Sequence, residues 1–183
     1  MAGSGPRVAL FQPDIPPNTG TILRLAACLG FPVDVIEPAG FRLDDRMLRR
    51  AGLDYLDMAA LVRHADFEAF DAARRAGGRR LVLVETGGAV SHTDFRYDRR
   101  DIVMFGRESA GTPAAVMARA DAVVSVPMLA GRRSINLAMT CALVVGEVYR
   151  QLGLFPALEK LETETPDDGL SIGLVRNGEE ARR

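Results

Sequence analysis

Long apolar runs, lysine, cysteine and histidine are all scarce in this 183-residue chain, and each scarcity removes a class of protein. No apolar run approaches the roughly 20 residues a membrane-spanning helix needs. The N-terminal MAGSGPRVALF also lacks the apolar stretch of a secretory signal, so a soluble, cytoplasmic protein is expected. The two cysteines, Cys28 and Cys141, each sit in an apolar stretch that reads as helix, and both are expected as buried thiols rather than as disulfide partners or metal ligands. His64 and His92 are isolated from suitable partners and offer neither a metal site nor a triad. No G-x-G-x-x-G follows a strand, and Gly87-Gly88 alone reads as a turn, which argues against an ordinary dinucleotide site. The formal net charge of -1 removes any global electrostatic argument for nucleic acid.

What is present is arginine, in clusters. They fall at Arg46, Arg49 and Arg50, at Arg74 and Arg75, at Arg79 and Arg80, at Arg99 and Arg100, and at Arg132 and Arg133. Guanidinium groups suit bidentate phosphate contacts. For every pair except Arg132-Arg133, solvated helix ends and loops balanced by Asp and Glu are the better reading.

Short apolar runs recur at Val8 to Phe11, Val33 to Ile36, Leu81 to Val84, Ile102 to Phe105 and Val123 to Val126. Most are too continuous for a sheet with one wet face, and they predict buried parallel strands. A weaker strand near Leu56 to Val62 competes with helix or loop. Between the strands the end signals mark helices: Asn18 as N-cap and Gly30 as stop for Thr19 to Leu29, Asp44 before Asp45 to Arg50, and Asp66 before Phe67 to Ala76 with Gly77 and Gly78 after it. Alternating strand and helix predict an α/β fold with a mostly parallel sheet flanked by helices. The last helix, Leu137 to Leu152, carries no charge from Leu137 through Gly146. A helix apolar all round must be covered on all sides, so a symmetric homodimer through this C-terminal helix is expected. Residues 1–156 read as one domain, and 157–183, polar and short of aromatics, as a flexible or loosely docked tail.

Three segments carry chemistry. The first, Pro13-Asp14-Ile15-Pro16-Pro17-Asn18-Thr19-Gly20, reads as an extended loop leading into a helix on which Arg24 lies opposite the apolar stripe, flanked by small residues. The second, Phe105-Gly106-Arg107-Glu108-Ser109-Ala110-Gly111-Thr112-Pro113, follows a strand, where ligands gather in open α/β sheets. Its glycines allow close backbone approach, and Pro113 suits the first turn of a helix. The third, Val126 to Leu137, runs from a strand end through Arg132-Arg133 to Ser134 and Asn136, either of which could cap the last helix.

Together the motifs N-T-G-x-x-x-R, F-G-x-E-x-x-G-x-P and V-P-M followed by S-x-N-L resemble the SPOUT class of RNA methyltransferases, over Val8 to about Phe155. Within that class, Ile36-Glu37-Pro38-Ala39-Gly40-Phe41 and Leu48-Arg49-Arg50-Ala51-Gly52-Leu53-Asp54-Tyr55 look like the enzymes that methylate the ribose of the wobble cytidine or modified uridine in leucine tRNAs. The resemblance implies a C-terminal trefoil knot, an exception to the usual rule against threading. It implies S-adenosylmethionine as cofactor, held at Val84, Gly106, Glu108, Val126, Ser134 and Leu137, with catalysis by Arg24, Ser134 and Asn136. It also implies tRNA as partner, with Arg24, Arg49, Arg50, Arg132 and Arg133 on its phosphates, and no metal. Ala110 stands where relatives often carry a larger polar or basic side chain, which implies altered RNA contacts. A knotted methyltransferase acting on another tRNA or rRNA site, a catalytically silent RNA-binding module on the same scaffold, and a nicotinamide-dependent oxidoreductase are the rival readings.

Overall fold

The computed structural model describes residues 5–41 and 60–157. The expected helix Asp45 to Arg50, and with it Arg49 and Arg50, lies outside the described residues, as does the tail from residue 158.

Seven strands form one sheet: β1 (Arg7–Phe11), β2 (Val33–Ile36), β3 (Leu61–His64), β4 (Arg80–Val84), β5 (Val90–Ser91), β6 (Asp101–Phe105) and β7 (Ala122–Ser125). Their spatial order is β3-β2-β1-β6-β4-β7-β5, and every pairing is parallel. The helices are α1 (Pro16–Leu29), α2 (Phe67–Ala76), α3 (Ala114–Met117) and α4 (Leu137–Leu152). Every apolar run predicted as a strand is one, within a residue or so at its ends. The weak strand expected over Leu56 to Val62 falls at Leu61–His64, paired to β2 from Val33↔Leu61 to Ile36↔His64. The two-residue β5 has too little pattern to be read in sequence.

Both sheet faces are buried, which explains the continuous apolar runs. Alternate side chains go to opposite sides: Val8, Leu10, Val82, Val84, Val103 and Phe105 pack with α1 and α4, while Ala9, Phe11, Leu81, Leu83, Ile102 and Met104 pack with Phe67, Phe70 and Val116. The charges inside this frame are paired. Asp34 accepts a two-pronged bond from Arg7 (2.6 and 2.9 Å) and faces His64 Nε2 at 2.8 Å. Buried Asp101 accepts from Arg80 Nε and Nη2, both at 2.8 Å. Arg74, only 5 % exposed, bonds Asp71 at 2.6 Å and Asp121 at 3.0 Å. Arg74 and Arg80 are thus balanced by acidic side chains, as the arginine pairs were expected to be; Arg74 is buried rather than solvated, whereas the Arg80 side chain is 40 % exposed, and both neutralise buried carboxylates.

Helix ends follow local chemistry with one exception. Asp66 caps α2 by accepting from Ala69 N at 2.8 Å, and Gly30 ends α1 in the left-handed region at φ 79°. Asn18, expected as the N-cap of α1, lies inside that helix. Pro16 and Pro17 occupy its first turn, where their missing N–H groups cost nothing, and Ile15 becomes the cap position. Cys141 is buried as expected, but Cys28 is exposed, because it falls on the outer side of α1 beside Arg24 rather than on the Ile22–Leu23–Ala26 stripe. α4 has the predicted bounds, and Ala138, Cys141, Val144, Val145 and Val148 are buried on it. Its other side carries Met139, 64 % exposed, and Leu143, 48 % exposed. No helix among the described residues is long and apolar enough to cross a membrane.

Candidate functional site

β6 sits between β1 and β4, so chain segments distant in sequence leave the sheet side by side at its carboxyl edge, the usual ligand position in an open α/β sheet. There a cavity of about 420 Å³ opens between the loops that follow β4, β6 and β7 and the first turns of α1 and α4. Val84, Phe105, Val126 and Leu137 give it an apolar wall; Asn18, Glu85, Glu108, Ser134 and Asn136 give it polar groups.

The three sequence segments are joined by hydrogen bonds. Asn18 donates from Nδ2 to Glu108 Oε1 at 3.2 Å, and its Oδ1 accepts from Asn136 Nδ2 at 2.9 Å. Asn136 is also the N-cap of α4, its Oδ1 accepting from Ala138 N at 2.9 Å and Met139 N at 3.3 Å. One side chain therefore both starts the helix and ties it to α1. Glu108 Oε2 accepts from Asp14 N at 3.2 Å, and the Asp14 carboxylate accepts from Ser109 N at 3.3 Å and from Ser109 Oγ. Arg107 donates to Gln12, which itself adopts a left-handed φ of 46°. The β1 and β6 loops are thereby clamped together.

Burial, reinforced by the neighbouring Asp14 carboxylate, pushes the Glu108 carboxyl above its ordinary range. Burial acts on Asp14 in the same sense, but the hydrogen bonds from Glu108 and Ser109 outweigh it and hold Asp14 low. The adjoining loop has no spare room: a Cβ on Gly106 would come within 2.3 Å of Thr112 Oγ1, and Gly111 has a φ of +65°. Neither position accepts a side chain without strain or a shift of its neighbours.

Of the expected residues, Val84, Gly106, Glu108, Val126, Ser134, Asn136 and Leu137 all line this cavity. Arg24 does not; it is exposed on α1, beyond the cavity lining. Arg132 and Arg133 are exposed on the β7–α4 loop that leads to Ser134. Sequence reasoning missed Glu85, which lines the cavity directly after Val84, and it gave Asn18 only a capping role. The one available signal for Glu85 was its place at the carboxyl end of an apolar strand.

An apolar slot with convergent hydrogen-bonding groups and a glycine-shaped loop fits a nucleoside-bearing cofactor such as S-adenosylmethionine. Of the lining groups, Glu85 has a buried Oε2 with no partner among the described residues, which fits a site whose hydrogen bonds are completed by a ligand. Among the described residues no group of His, Cys, Asp and Glu is arranged to hold a metal ion.

Comparison with known proteins gives a consistent picture. Residues 5–146 match the SpoU rRNA methylase family. A tRNA (cytidine(34)-2'-O)-methyltransferase of Ancylobacter novellus is 52% identical over 148 residues, covering 81% of this chain and 94% of the relative. Its counterpart of the same name in Escherichia coli K12 is 43% identical, covering 80% and 93%. A solved structure concerned with the 2-OH methylation of C/U34 on tRNA superposes with a TM-score of 0.77 at 39% identity, covering 82% of this chain and 99% of the other. The AdoMet-bound rRNA methyltransferase from Sinorhizobium meliloti gives 0.75 at 26% identity, covering 81% of this chain and 57% of the other.

Proposed function

The chain belongs to the SpoU rRNA methylase family, and from that premise we propose that it transfers a methyl group from S-adenosylmethionine to the ribose 2′-hydroxyl of the wobble nucleotide of tRNA, a cytidine or modified uridine in leucine tRNAs. The observation that carries this reading is the hydrogen-bonded convergence of Asn18, Glu108 and Asn136 from three separate segments on one cavity. The names and coverage of the relatives support the substrate.

When bound, S-adenosylmethionine would supply an electrophilic methyl on a sulfonium; the O–CH3 bond forms as the S–CH3 bond breaks and the 2′-hydroxyl proton passes to water, so the protein's task is alignment. Val84 and Val126 would pack the adenine, Leu137 would extend the same apolar wall, and Gly106 would let the backbone come close to the cofactor. Ser134 and Asn136, at the exposed mouth of the cavity, orient cofactor and ribose, and Glu108 holds the loop around them. Arg24 acts on the RNA outside the cavity, gripping the phosphate next to the target and polarising the 2′-oxygen. Arg132 and Arg133, with Arg49 and Arg50, take further phosphates, which position the RNA without reading bases. Alignment of this kind can supply much of the rate enhancement.

The knot is part of the same reading. Its support is the path of the chain, which leaves β7 beyond β4 and returns through the 126–136 loop to pack α4 on α1. A second copy of the chain covers the Met139 and Leu143 stripe of α4, a patch too apolar to remain in water as a helix face. The enzyme works in the cytoplasm.

The test is a nucleotide-resolved map of ribose methylation in total tRNA incubated with the protein and S-adenosylmethionine. New 2′-O-methyl groups at position 34 of leucine tRNAs are expected; methylation elsewhere, or none, refutes the assignment.

A further inference from the structure

We infer that Glu85 is a cofactor-binding residue whose carboxylate accepts hydrogen bonds from the ribose hydroxyls of the bound nucleoside. The inference rests on the cofactor reading above and adds a residue that neither the sequence motifs nor that reading includes.

Glu85 directly follows β4, and its backbone is fixed there: its N–H donates to Val124 O at 3.0 Å and its carbonyl accepts from Gly88 N at 3.3 Å. The side chain turns back along the loop so that Oε1 accepts from Thr86 N at 3.1 Å. Oε2 is buried and has no partner among the described residues. A buried carboxylate oxygen left bare costs about as much as a lost charged hydrogen bond, so it is kept only where something completes it. Both oxygens lie 3.7 Å from the position a Gly111 Cβ would take, so the carboxylate faces the Gly111 backbone, which lines the same cavity.

The chemistry selects the ligand group. A carboxylate accepts and does not donate, so its partner must carry donors. Glu85 adjoins Val84 in sequence and shares the cavity wall with Val84, Phe105 and Val126, the apolar part suited to adenine. The group bonded to adenine is the ribose, whose vicinal hydroxyls are two neighbouring donors, matched to a two-oxygen acceptor. The same pairing of an acidic side chain with ribose hydroxyls recurs in dinucleotide sites of unrelated topology.

The experiment is calorimetric binding of S-adenosylhomocysteine, and of its analogues lacking the adenosine 2′-hydroxyl, the 3′-hydroxyl or the α-amino group, to wild-type protein and to the Glu85→Ala and Glu85→Gln variants. Glu85→Ala weakens the parent ligand roughly ten- to hundredfold, the range of a charge-assisted hydrogen bond, and Glu85→Gln weakens it less. Each deoxy analogue loses a similar factor on wild type but less than about threefold on Glu85→Ala, because the contact is already gone. Additive losses, unchanged binding by Glu85→Ala, or a loss on wild type confined to the analogue lacking the α-amino group overturns the assignment. Should Glu85→Ala not fold, wild type alone decides: deoxy analogues that bind as tightly as the parent overturn it. Wild type that takes up no S-adenosylhomocysteine overturns the cofactor reading itself, a distinct result.

Discussion

Replacing Asn136 separates two functions that one side chain combines. Its Oδ1 caps α4 through Ala138 N and Met139 N, and its Nδ2 donates to the buried Asn18. Asn136→Ala loses the cap, about 1 kcal/mol, and leaves Asn18 Oδ1 without a donor, about another 1 kcal/mol. Asn18 cannot repair this by rotating its amide, because its Nδ2 is committed to Glu108. Asn136→Asp keeps a capping oxygen at the positive end of the helix dipole but has no donor for Asn18, so about 1 kcal/mol is lost. Urea denaturation should therefore rank wild type above Asn136→Asp above Asn136→Ala, with the extremes about 2 kcal/mol apart and melting temperatures separated by roughly 4–8 °C. Methyl transfer to tRNA should fall at least tenfold in both variants. Equal stability costs in the two variants would contradict the division of labour, and so would full activity in the better-folded one.

Gly106→Ala pushes a methyl group against Thr112 Oγ1 and should cost about 1–3 kcal/mol with loss of cofactor binding; adding Thr112→Ala should recover part of both, measured by denaturation and calorimetry. Glu147 is held down to about 2 by its hydrogen bonds from Arg150 and then from Gln151, so its contribution is present above the ordinary value of 4.5 and is lost as pH falls from there towards 2. Because Arg150 is largely exposed, that contribution is small, and Glu147→Gln should flatten the stability curve across this window. Leu143→Glu places a charge on the open side of α4 and should shift the protein to monomer in analytical ultracentrifugation while leaving its circular dichroism unchanged; retention of a dimer would exclude α4 as the contact.

The frame was legible because a sheet covered on both sides writes itself as short continuous apolar runs, and Asp66 and Gly30 mark helix ends by purely local chemistry. Asn18 was misplaced for the same reason that Asp66 was right. The capping rule sees only neighbours in sequence, whereas Asn18 is held by Glu108 and Asn136, 90 and 118 residues away. Arg74 and Arg80 were expected to be balanced by acidic side chains, but only the folded chain reveals that Asp71, Asp121 and Asp101 are their partners. The site segments Gly106–Gly111 and Val126–Leu137 were found as motifs, and Glu85 was not, since a glutamate after a strand looks like any solvated turn.

The two outermost strands, as described above, are poor templates for growth. β5 contributes only Val90 and Ser91, too short to seat another chain, and β3 presents Arg63, held by Glu37. A fully apolar parallel sheet would polymerise readily if its rims were long and bare. Among the described residues neither rim is both long and uncharged, which disfavours growth by strand addition.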